Sequence, residues 1–426
     1  MTRLLRLSSL LILLTFALSS CGKKDEAANG KKQIKLVHFY VDQKELWKSV
    51  AEDFEKANPQ YHVTVEAVPF GVYTTKIQAA AATGSALGDV VLIDDWFAQE
   101  LFKRDYTIAL DEYFKRDLKE SDFFTQFFTV WRKGNQASAQ LMAMPACGGV
   151  TALFYNKDLF DAAGVKYPDS TWTYATMLEA AKKLTKGEGA AKQWGFISDY
   201  GNSTGIDTYI YSNGGNILSA DLKSSALLTP QSKQAVQSYV DLVRTHGVMP
   251  QPDPSQSLGQ KFMQGKVAMM LNFDVAKQEL ARASFKWDLA VPPSGAAGMM
   301  SRQNGQAFGI AKSAKDPAGA WELIKYIVTL PNKKGVNELF STAMPLYKPL
   351  AQSPEYLEGR PKCDRRALLR INEGKVFNLI TAGWQEWRDH AFIPGMQEML
   401  SGRLSVDDGL TQISRKIDQV LKERAN

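Results

Sequence analysis

Cysteine and histidine are scarce in this chain of 426 residues, which holds three cysteines and four histidines. The histidines have none of the short spacings of a metal site, since they stand at His38, His62, His246 and His390. We therefore expect no metal and no cofactor. Cys147 and Cys363 could form one disulfide, but we favour two separate thiols because their wide separation in sequence does not establish a bridge.

Long apolar runs and a strong charge of one sign are also missing. After Leu18 no apolar stretch approaches the length that spans a bilayer. The formal net charge is +6 and is spread along the chain without an arginine-rich stripe between aromatics, so we expect no nucleic-acid partner. No Gly-x-Ser-x-Gly sequence, metal constellation or Cys/His pair indicates an enzyme.

The first twenty residues have the pattern of a secretory signal peptide, with a basic start, an apolar stretch from Leu7 to Leu18 and small residues before Cys21. The sequence Leu18-Ser19-Ser20-Cys21 resembles a bacterial lipoprotein signal, in which the cysteine is lipidated and begins the mature protein. The alternative is an ordinary secretory signal followed by a chance cysteine. Residues 21–32 are polar and rich in lysine, which favours a flexible tether. We expect an extracytoplasmic protein with a lipid anchor in a bacterial membrane.

The chain after the tether alternates strand and helix patterns. Strands are predicted at Ile34–Tyr40, Tyr61–Val68 and Asp89–Ile93, with helices between them at Leu46–Ala57 and Tyr73–Thr83. This order predicts parallel strands joined by helical crossovers in an α/β sheet. Ligands of such sheets bind beyond the carboxyl ends of the strands. The residues that follow the strands should therefore share one rim, namely Tyr40–Gln43, Phe70 and Asp94–Trp96.

A second α/β segment follows. Its predicted strands are residues 151–155, 195–197 and 266–271, and its predicted helices are 157–163, 173–184, 233–246, 317–329 and 406–421. Asn156 fits the N-cap of the helix at 157–163, and Tyr155 before it is expected to have a structural role near a hinge. Phe54 and the Met269–Met270 pair are expected in the core.

Short motifs lie along nearly the whole chain after the predicted signal peptide, and their order matters as much as their sequences. They are Phe54-Glu-Lys-Ala-Asn-Pro59, Gly88-Asp-Val-Val-Leu-Ile93, Leu153–Gly164 followed by Thr171-Trp172, Phe262–Met270, Val291-Pro-Pro293, Gly309–Ile324 and Gly402–Thr411. Together they resemble the extracellular solute-binding proteins of family 1, the maltose- and multiple-sugar-type binding components of ABC importers.

The resemblance implies two α/β lobes of the class II type, each a mixed sheet flanked by helices, with the solute in a cleft at the hinge. It implies capture of a mono- or oligosaccharide by a monomer and its delivery to permease subunits with a cytoplasmic ATPase. We predict hinge crossings near Met144–Gly148, Arg302–Gly309 and Met344–Pro349. The N-lobe would comprise residues 33–145 and 309–344, and the C-lobe residues 146–308 and 345–426.

Asp94, Asp95 and Trp96 are the strongest candidates for the first lobe's part of a sugar site. They follow a strand predicted to be buried on both faces, where the sheet geometry places ligands. Carboxylates accept hydrogen bonds from sugar hydroxyls, and an aromatic face covers the apolar side of a pyranose. The structural alternative is a helix N-cap at Asp94 or Asp95 with a packed tryptophan. Tyr40, Asp42 and Gln43 are candidates for the same reason.

Further candidates come from the second lobe. Asn202 and Ser203 lie in a polar loop that faces the cleft in the family, although a plain turn would have the same composition. Family members often carry Gly-x-Trp after the Ala-Met-Met strand, whereas this chain has Leu271-Asn-Phe-Asp-Val275. Phe273 is a candidate to stack on the sugar in place of that tryptophan, and Asp274 to present a carboxylate. Arg302 would favour a carboxylated sugar, with a solvated surface arginine as the alternative.

Trp384 is the predicted aromatic partner of Trp96 across the cleft, and Trp387, three residues later, is the predicted core member of the pair. We therefore expect Trp96→Ala and Trp384→Ala to weaken sugar binding with little change in melting temperature. Two other functions stay open: a binding protein for a non-sugar solute and an exported carbohydrate-active enzyme. The second is disfavoured because Asp94 and Asp95 are adjacent, so that their side chains should diverge instead of flanking a scissile bond.

Overall fold

The computed structural model describes residues 30–200, 205–253, 255–381 and 383–425. The predicted signal peptide, Cys21 and most of the tether lie outside these ranges, as do Asn202 and Ser203. Within them, every helix is too short or too polar to span a bilayer. Cys147 and Cys363 are both free thiols, as predicted.

Ten strands are found in the described ranges. In chain order they are β1 (Lys32–His38), β2 (Tyr61–Ala67), β3 (Val90–Asp94), β4 (Met144–Asn156), β5 (Ile197–Ser198), β6 (Met269–Phe273), β7 (Trp287–Ala290), β8 (Met300–Ile310), β9 (Met344–Pro345) and β10 (Lys375–Phe377).

The α-helices of the same ranges lie between and after these strands. In chain order they are α1 (Lys44–Ala57), α2 (Phe70–Thr83), α3 (Asp95–Lys103), α4 (Asp111–Asp117), α5 (Lys157–Ala163), α6 (Tyr174–Leu184), α7 (Ile206–Ser212), α8 (Pro230–Arg244), α9 (Leu258–Met263), α10 (Ala276–Leu280), α11 (Pro317–Thr329), α12 (Val336–Leu339), α13 (Lys348–Ala351), α14 (Pro354–Leu357), α15 (Arg365–Glu373), α16 (Trp384–Trp387), α17 (Ile393–Ser401) and α18 (Val406–Ala425). A π-helical turn at Arg388–Phe392 joins α16 to α17.

The strands form two lobes of mixed sheet that share two members. In the first lobe β1 lies between β2 and β3 and is parallel to both, which confirms the predicted β-α-β-α-β unit. β3 is antiparallel to β8, and β8 is antiparallel to β4. In the second lobe β4 is antiparallel to β6 and β7, and β5 is parallel to β6. The predicted two-lobed α/β fold is confirmed.

The long strands β4 and β8 run from one lobe into the other. The first half of β4 pairs with β8, whereas its second half, from Thr151 onward, pairs with β6 and β7. β9 joins them, since Pro345 lies opposite Cys147 and Met344 opposite Gly148. Glycine is needed at position 148 because a side chain there would overlap the ring of Phe127. The three segments predicted as hinge crossings therefore lie side by side.

Two hydrophobic cores meet at β4. Ala152 and Phe154 belong to a core that extends from the first lobe to one face of the second-lobe sheet. Leu153 and Tyr155 point to the opposite face, as successive residues of a strand do, and belong to a core within the second lobe. The residues expected in the core are buried: Phe54, Met269 and Met270.

Most predicted elements are present, with shifts at their ends. The helices at 157–163 and 317–329 have the predicted bounds, and Asn156 caps the first, its side chain accepting from the Leu159 N–H at 3.1 Å. The strand predicted at 151–155 is longer and begins at Met144, because pairing with β8 and β9 extends it through Pro145 and the glycines. The strand predicted at 195–197 shrinks to Ile197–Ser198.

Candidate functional site

Aromatic rings form a row that crosses from the first lobe to the second. The ring centroids of Phe39 and Phe70 are 5.0 Å apart, those of Phe70 and Trp96 6.5 Å, and those of Trp96 and Trp384 5.7 Å. Phe70 and Trp96 are 39% and 38% exposed, so part of each side chain is accessible to a ligand. Trp96 and Trp384, which we predicted on opposite sides of the cleft, are in direct contact.

Two arginines pack on the Trp384 end of this aromatic row. The Arg388 guanidinium lies 4.3 Å from the ring centre of Trp384 and 5.6 Å from that of Trp96. The Arg302 guanidinium lies 5.2 Å from the ring centre of Trp384 and 5.7 Å from that of Phe273. Arg302 is buried and paired with Asp207 at 3.3 Å, so the alternative of a solvated surface arginine is wrong. Its charge fixes the Trp384 ring by cation–π contact.

Asp94 and Asp95 stand beside the aromatic row at the end of β3. Asp94 is the N-cap of α3, accepting from the Trp96 N–H at 3.3 Å, as the structural alternative proposed. The second Asp94 oxygen accepts from the Gln306 amide at 3.3 Å, and Asp95 accepts from Asn378 of the second lobe at 3.1 Å.

The two adjacent carboxyl groups have hydrogen-bond partners of their own, Trp96 and Gln306 for Asp94 and Asn378 for Asp95. Burial raises the pKa of Asp94 to about 6, against the opposing effect of the hydrogen bonds from Gln306 and Trp96. Burial and the charge of Asp94 raise the pKa of Asp95 well above its usual value.

The candidates after β1 lie at the edge of this arrangement. The Tyr40 hydroxyl donates to Gln306 Oε1 at 2.6 Å and is 3.0 Å from Thr342 Oγ1. The Gln43 amide is occupied within the first lobe, donating to the Glu338 carbonyl at 2.9 Å. Asp42 is exposed. Tyr40 is therefore linked to Asp94 by hydrogen bonds through Gln306, whereas Gln43 stabilises the fold of the first lobe.

The candidates Phe273 and Asp274 are both buried. Asp274 pairs with Lys277 at 2.7 Å and accepts from the Val150 N–H at 3.2 Å. This pair links the turn after β6 to β4. Because Asp274 and Lys277 are at most 1% exposed, the carboxylate is not accessible to a solute. Phe273 packs against the Arg302 guanidinium.

Both tryptophans of α16 are buried, Trp384 at 2% exposure and Trp387 at 0%. Trp387 packs against Phe392, in agreement with its predicted core position. Trp384 differs because its ring contacts Trp96, Arg302 and Arg388 and also lines a cavity.

That cavity, of about 590 Å³, is lined by both lobes and is called the interlobe cavity below. Phe70, Trp96 and Gln78 line it from the first lobe, and Trp384 and Gln385 from the second. Gln78 and Gln385 are exposed, so their amides are available to a solute. Aromatic faces with a few polar groups are the usual lining of small-molecule sites.

A larger cavity of about 1140 Å³ is lined by the second lobe alone, beyond the carboxyl ends of β5 and β6. Its wall includes Tyr200, Asn272, Val275 and Gln397. The Gln397 amide donates to the Tyr200 hydroxyl at 3.3 Å, and Val275 is 41% exposed.

Sequence reasoning missed Gln306, Asn378 and Arg388. Arg388 could have been found, because it follows Trp384 by four residues and such residues share a helix face. Gln306 reaches Asp94 only because β8 lies beside β3, a pairing between distant segments that no local pattern reveals. Among the described residues no group of three or more His, Cys, Asp or Glu side chains is placed to hold a metal ion.

The fold recurs in known proteins. Residues 40–334 match the bacterial extracellular solute-binding protein family, to which this chain belongs. A binding protein of Brucella abortus is 23% identical over 424 residues, covering 95% of this chain and 97% of that protein. The multiple sugar-binding protein of Streptococcus mutans is 22% identical over 172 residues, which is 40% of this chain and 39% of that protein.

Solved structures of low sequence identity share the fold. The sugar-binding protein MalE from Xanthomonas citri superposes with a TM-score of 0.78 at 18% identity, covering 92% of this chain and 98% of that one. An ABC substrate-binding protein from Listeria monocytogenes, in complex with cycloalternan, has a TM-score of 0.75 at 23% identity, covering 92% and 99%. The family resemblance seen in the sequence is confirmed.

Proposed function

We propose that this protein captures a sugar between its lobes and delivers it to an ABC importer. The observation that carries the proposal is the contact of Trp96 with Trp384 across the lobes, with the Asp94 carboxylate beside it. An indole face covers the C–H side of a pyranose, and a carboxylate accepts from its hydroxyl groups. Proteins of similar structure are known in complex with cycloalternan, α-D-tagatose and maltose, which supports this class of solute.

The interlobe cavity is the better candidate of the two cavities because both lobes line it. A solute that contacts both lobes stabilises the closed state relative to an open one. We propose that β4, β8 and the segment at β9 are the hinge, with lobes of residues 33–145 plus 309–344 and 146–308 plus 345–426. A hinge of a few extended residues absorbs the rotation of such a closure.

Replacing Trp96 by alanine tests the sugar site. The variant is expected to bind sugar at least several-fold more weakly, because a stacked aromatic contributes about 1 kcal/mol or more. Its melting temperature should change little, since Trp96 is 38% exposed. A thermal-shift panel of maltose, tagatose and longer oligosaccharides identifies a sugar that binds the wild type, and calorimetry then compares the variants with it.

Two control variants make this result specific. Tyr113 is a half-buried aromatic on α4 of the first lobe, packed on Trp321 outside the interlobe cavity, so Tyr113→Ala should keep sugar affinity. Gln397→Ala alters only the larger cavity. If Trp96→Ala binds sugar with full affinity and Gln397→Ala binds it more weakly, the solute binds in the larger cavity. The recovered sugar is expected to be chemically intact, and cleavage products would support the enzyme alternative.

Attachment to a membrane is proposed from the sequence Leu18-Ser19-Ser20-Cys21, which lies outside the described residues. The full-length product should need detergent for its release from bacterial membranes, whereas Cys21→Ser should be released freely because it lacks acyl chains. Mass spectrometry of the mature amino terminus is the measurement. A mature wild-type chain that begins elsewhere or carries no acyl group would contradict this anchor, and would leave sugar binding untouched.

A further inference from the structure

Residues 372–381 form a strap that leads from the end of α15 towards α16 and has partners in both lobes. Its strand β10 is parallel to β8. The ring of Phe377 stacks on that of Tyr211 of α7, with the ring centres 4.0 Å apart and the planes 9° from parallel. The side chain of Ile380 is 3% exposed and belongs to the second-lobe core. The strap is therefore packed with the second lobe.

Side chains of the first lobe bond to this strap at three points. They are Gln126, which donates to the Asn372 carbonyl, Asp95, which accepts from the Asn378 amide, and Asn135, which donates to the Ile380 carbonyl. The distance from Asn135 Nδ2 to the Ile380 oxygen is 2.8 Å. Each bond joins one part of the protein to another, so the first lobe holds the strap whether or not a solute is bound.

Asn135 reaches Ile380 from a loop with an unusual backbone. Gly134 and Asn135 both have positive φ, of 68° and 55°. Asparagine adopts this left-handed conformation more readily than most residues, and its side chain supplies the amide. Asparagine therefore suits this position both by its backbone and by its hydrogen bond.

Gln99 of α3 holds the loop in this shape. Its Oε1 accepts from the Gly134 N–H at 2.8 Å, and its Nε2 donates to the carbonyls of Val130 and Arg132 at 2.7 Å and 3.0 Å. One side chain thus satisfies three backbone groups of the loop. Gln99 also lines the interlobe cavity, so the loop that carries Asn135 is fixed to the first-lobe wall of that cavity.

The strap leads directly into the second-lobe wall of the same cavity. Ile380, Thr381, Trp384 and Gln385 line the cavity. The Trp384 N–H donates to the Thr381 carbonyl at 3.0 Å, so the start of α16 is bonded to the end of the strap. The bond from Asn135 to Ile380 lies one residue before this turn, where the wall begins.

We infer that Asn135 is a positioning residue of the sugar site, which holds the Ile380 carbonyl from the first lobe and thereby fixes the cavity wall that carries Trp384. The inference rests on the proposed function for the class of solute. A solute that needs both walls binds only to molecules in which the walls are in place, so its apparent affinity is reduced by that fraction. Loss of the Asn135 amide should lower the fraction, since a hydrogen bond between the lobes is lost.

Hydrogen exchange of the sugar-free protein tests the positioning directly. Asn135→Gly removes the amide and retains the left-handed backbone, which glycine adopts without strain. The backbone amides of the strap and of α16 should exchange about three- to tenfold faster in this variant, because the strap opens more often. Unchanged exchange of the strap in Asn135→Gly would overturn the inference.

The chain offers a matched control within one lobe. Asn58 Nδ2 donates to the Phe54 carbonyl at 3.1 Å at the end of α1, and Asn58 is half-buried like Asn135. Asn58→Gly removes the same kind of bond, but it should leave the exchange of the strap unchanged because both partners belong to the first lobe.

Calorimetry with maltose, or with the sugar of the panel that binds most tightly, tests the consequence for binding. Asn135→Gly should bind it about three- to tenfold more weakly than the wild type, whereas Asn58→Gly should keep the affinity. Gln99→Leu should also weaken binding, and the double variant should lose little more than the larger single loss, because both changes act on the same bond. Equal affinity of Asn135→Gly and the wild type would overturn the inference. Absence of binding by every sugar of the panel would refute the proposed function, and the exchange result would still decide whether Asn135 holds the strap.

Discussion

Replacing Lys277 by methionine is expected to lower the free energy of unfolding by about 3–5 kcal/mol, because it leaves Asp274 as an uncompensated buried charge. The two side chains are 0% and 1% exposed and 2.7 Å apart. Asp274 also holds the Val150 N–H, so the loss would loosen the turn after β6 from β4. Urea unfolding of the mature protein measures the change.

The chain contains a matched pair for comparison. Lys182 and Glu179 have the same spacing of three residues and a similar separation of 2.8 Å, but they are 42% and 66% exposed. Lys182→Met should therefore leave stability almost unchanged. Adding Asp274→Asn to Lys277→Met should restore much of the loss, since asparagine keeps the acceptor for Val150 without the charge. Equal effects of Lys277→Met and Lys182→Met would show that burial does not determine the contribution of this pair.

Trp384→Ala is expected to lose about 3–5 kcal/mol of folding stability as well as sugar affinity, because it empties a fully buried site. The sequence alone led us to expect a change of affinity only, and the 2% exposure of Trp384 replaces that expectation. The change also removes the ring on which Arg302 and Arg388 pack. Denaturant unfolding and calorimetry of the same preparation give the two quantities.

Two further variants separate packing from sugar contact at this position. Trp387→Ala should lose similar stability, since Trp387 is fully buried and packs within the second-lobe core. Trp384→Phe keeps an aromatic ring on which Arg302 and Arg388 can pack and should recover part of both losses. A Trp384→Ala protein with wild-type stability would mean that the second-lobe core closes over the vacant site.

The sequence predicted those parts of the fold that depend on local pattern. The helix at Lys157–Ala163 was predicted to the residue because Asn156 caps it and Gly164 ends it in a left-handed conformation. The parallel order of β1, β2 and β3 followed from their alternation with helices. The full length of β4 was missed, since the sequence from Pro145 to Gly149 has little strand propensity and is held extended by its neighbours.

The part of the candidate site that follows strand ends was also predicted from local pattern. Tyr40, Asp94 and Trp96 follow strand ends, so the predicted topology placed them at one rim of the sheet. Trp384 was predicted as the aromatic opposite Trp96, and the two rings are in contact. The burial of Arg302 and Asp274 was not readable, because each depends on a partner, Asp207 or Lys277, whose nearness only the folded chain shows.

Because β4 and β8 pass through both lobes, the chain cannot be divided into two lobes that each keep an intact sheet. The sheet of each lobe is incomplete by itself, because its central strand is part of a longer strand that continues into the other lobe. A cut within β4 would leave both halves with an unpaired edge and an opened core. The proposed rotation about β4 and β8 would keep the hydrogen bonds between these strands. Because both lobes depend on the same two strands, we expect the lobes to unfold together as one cooperative unit.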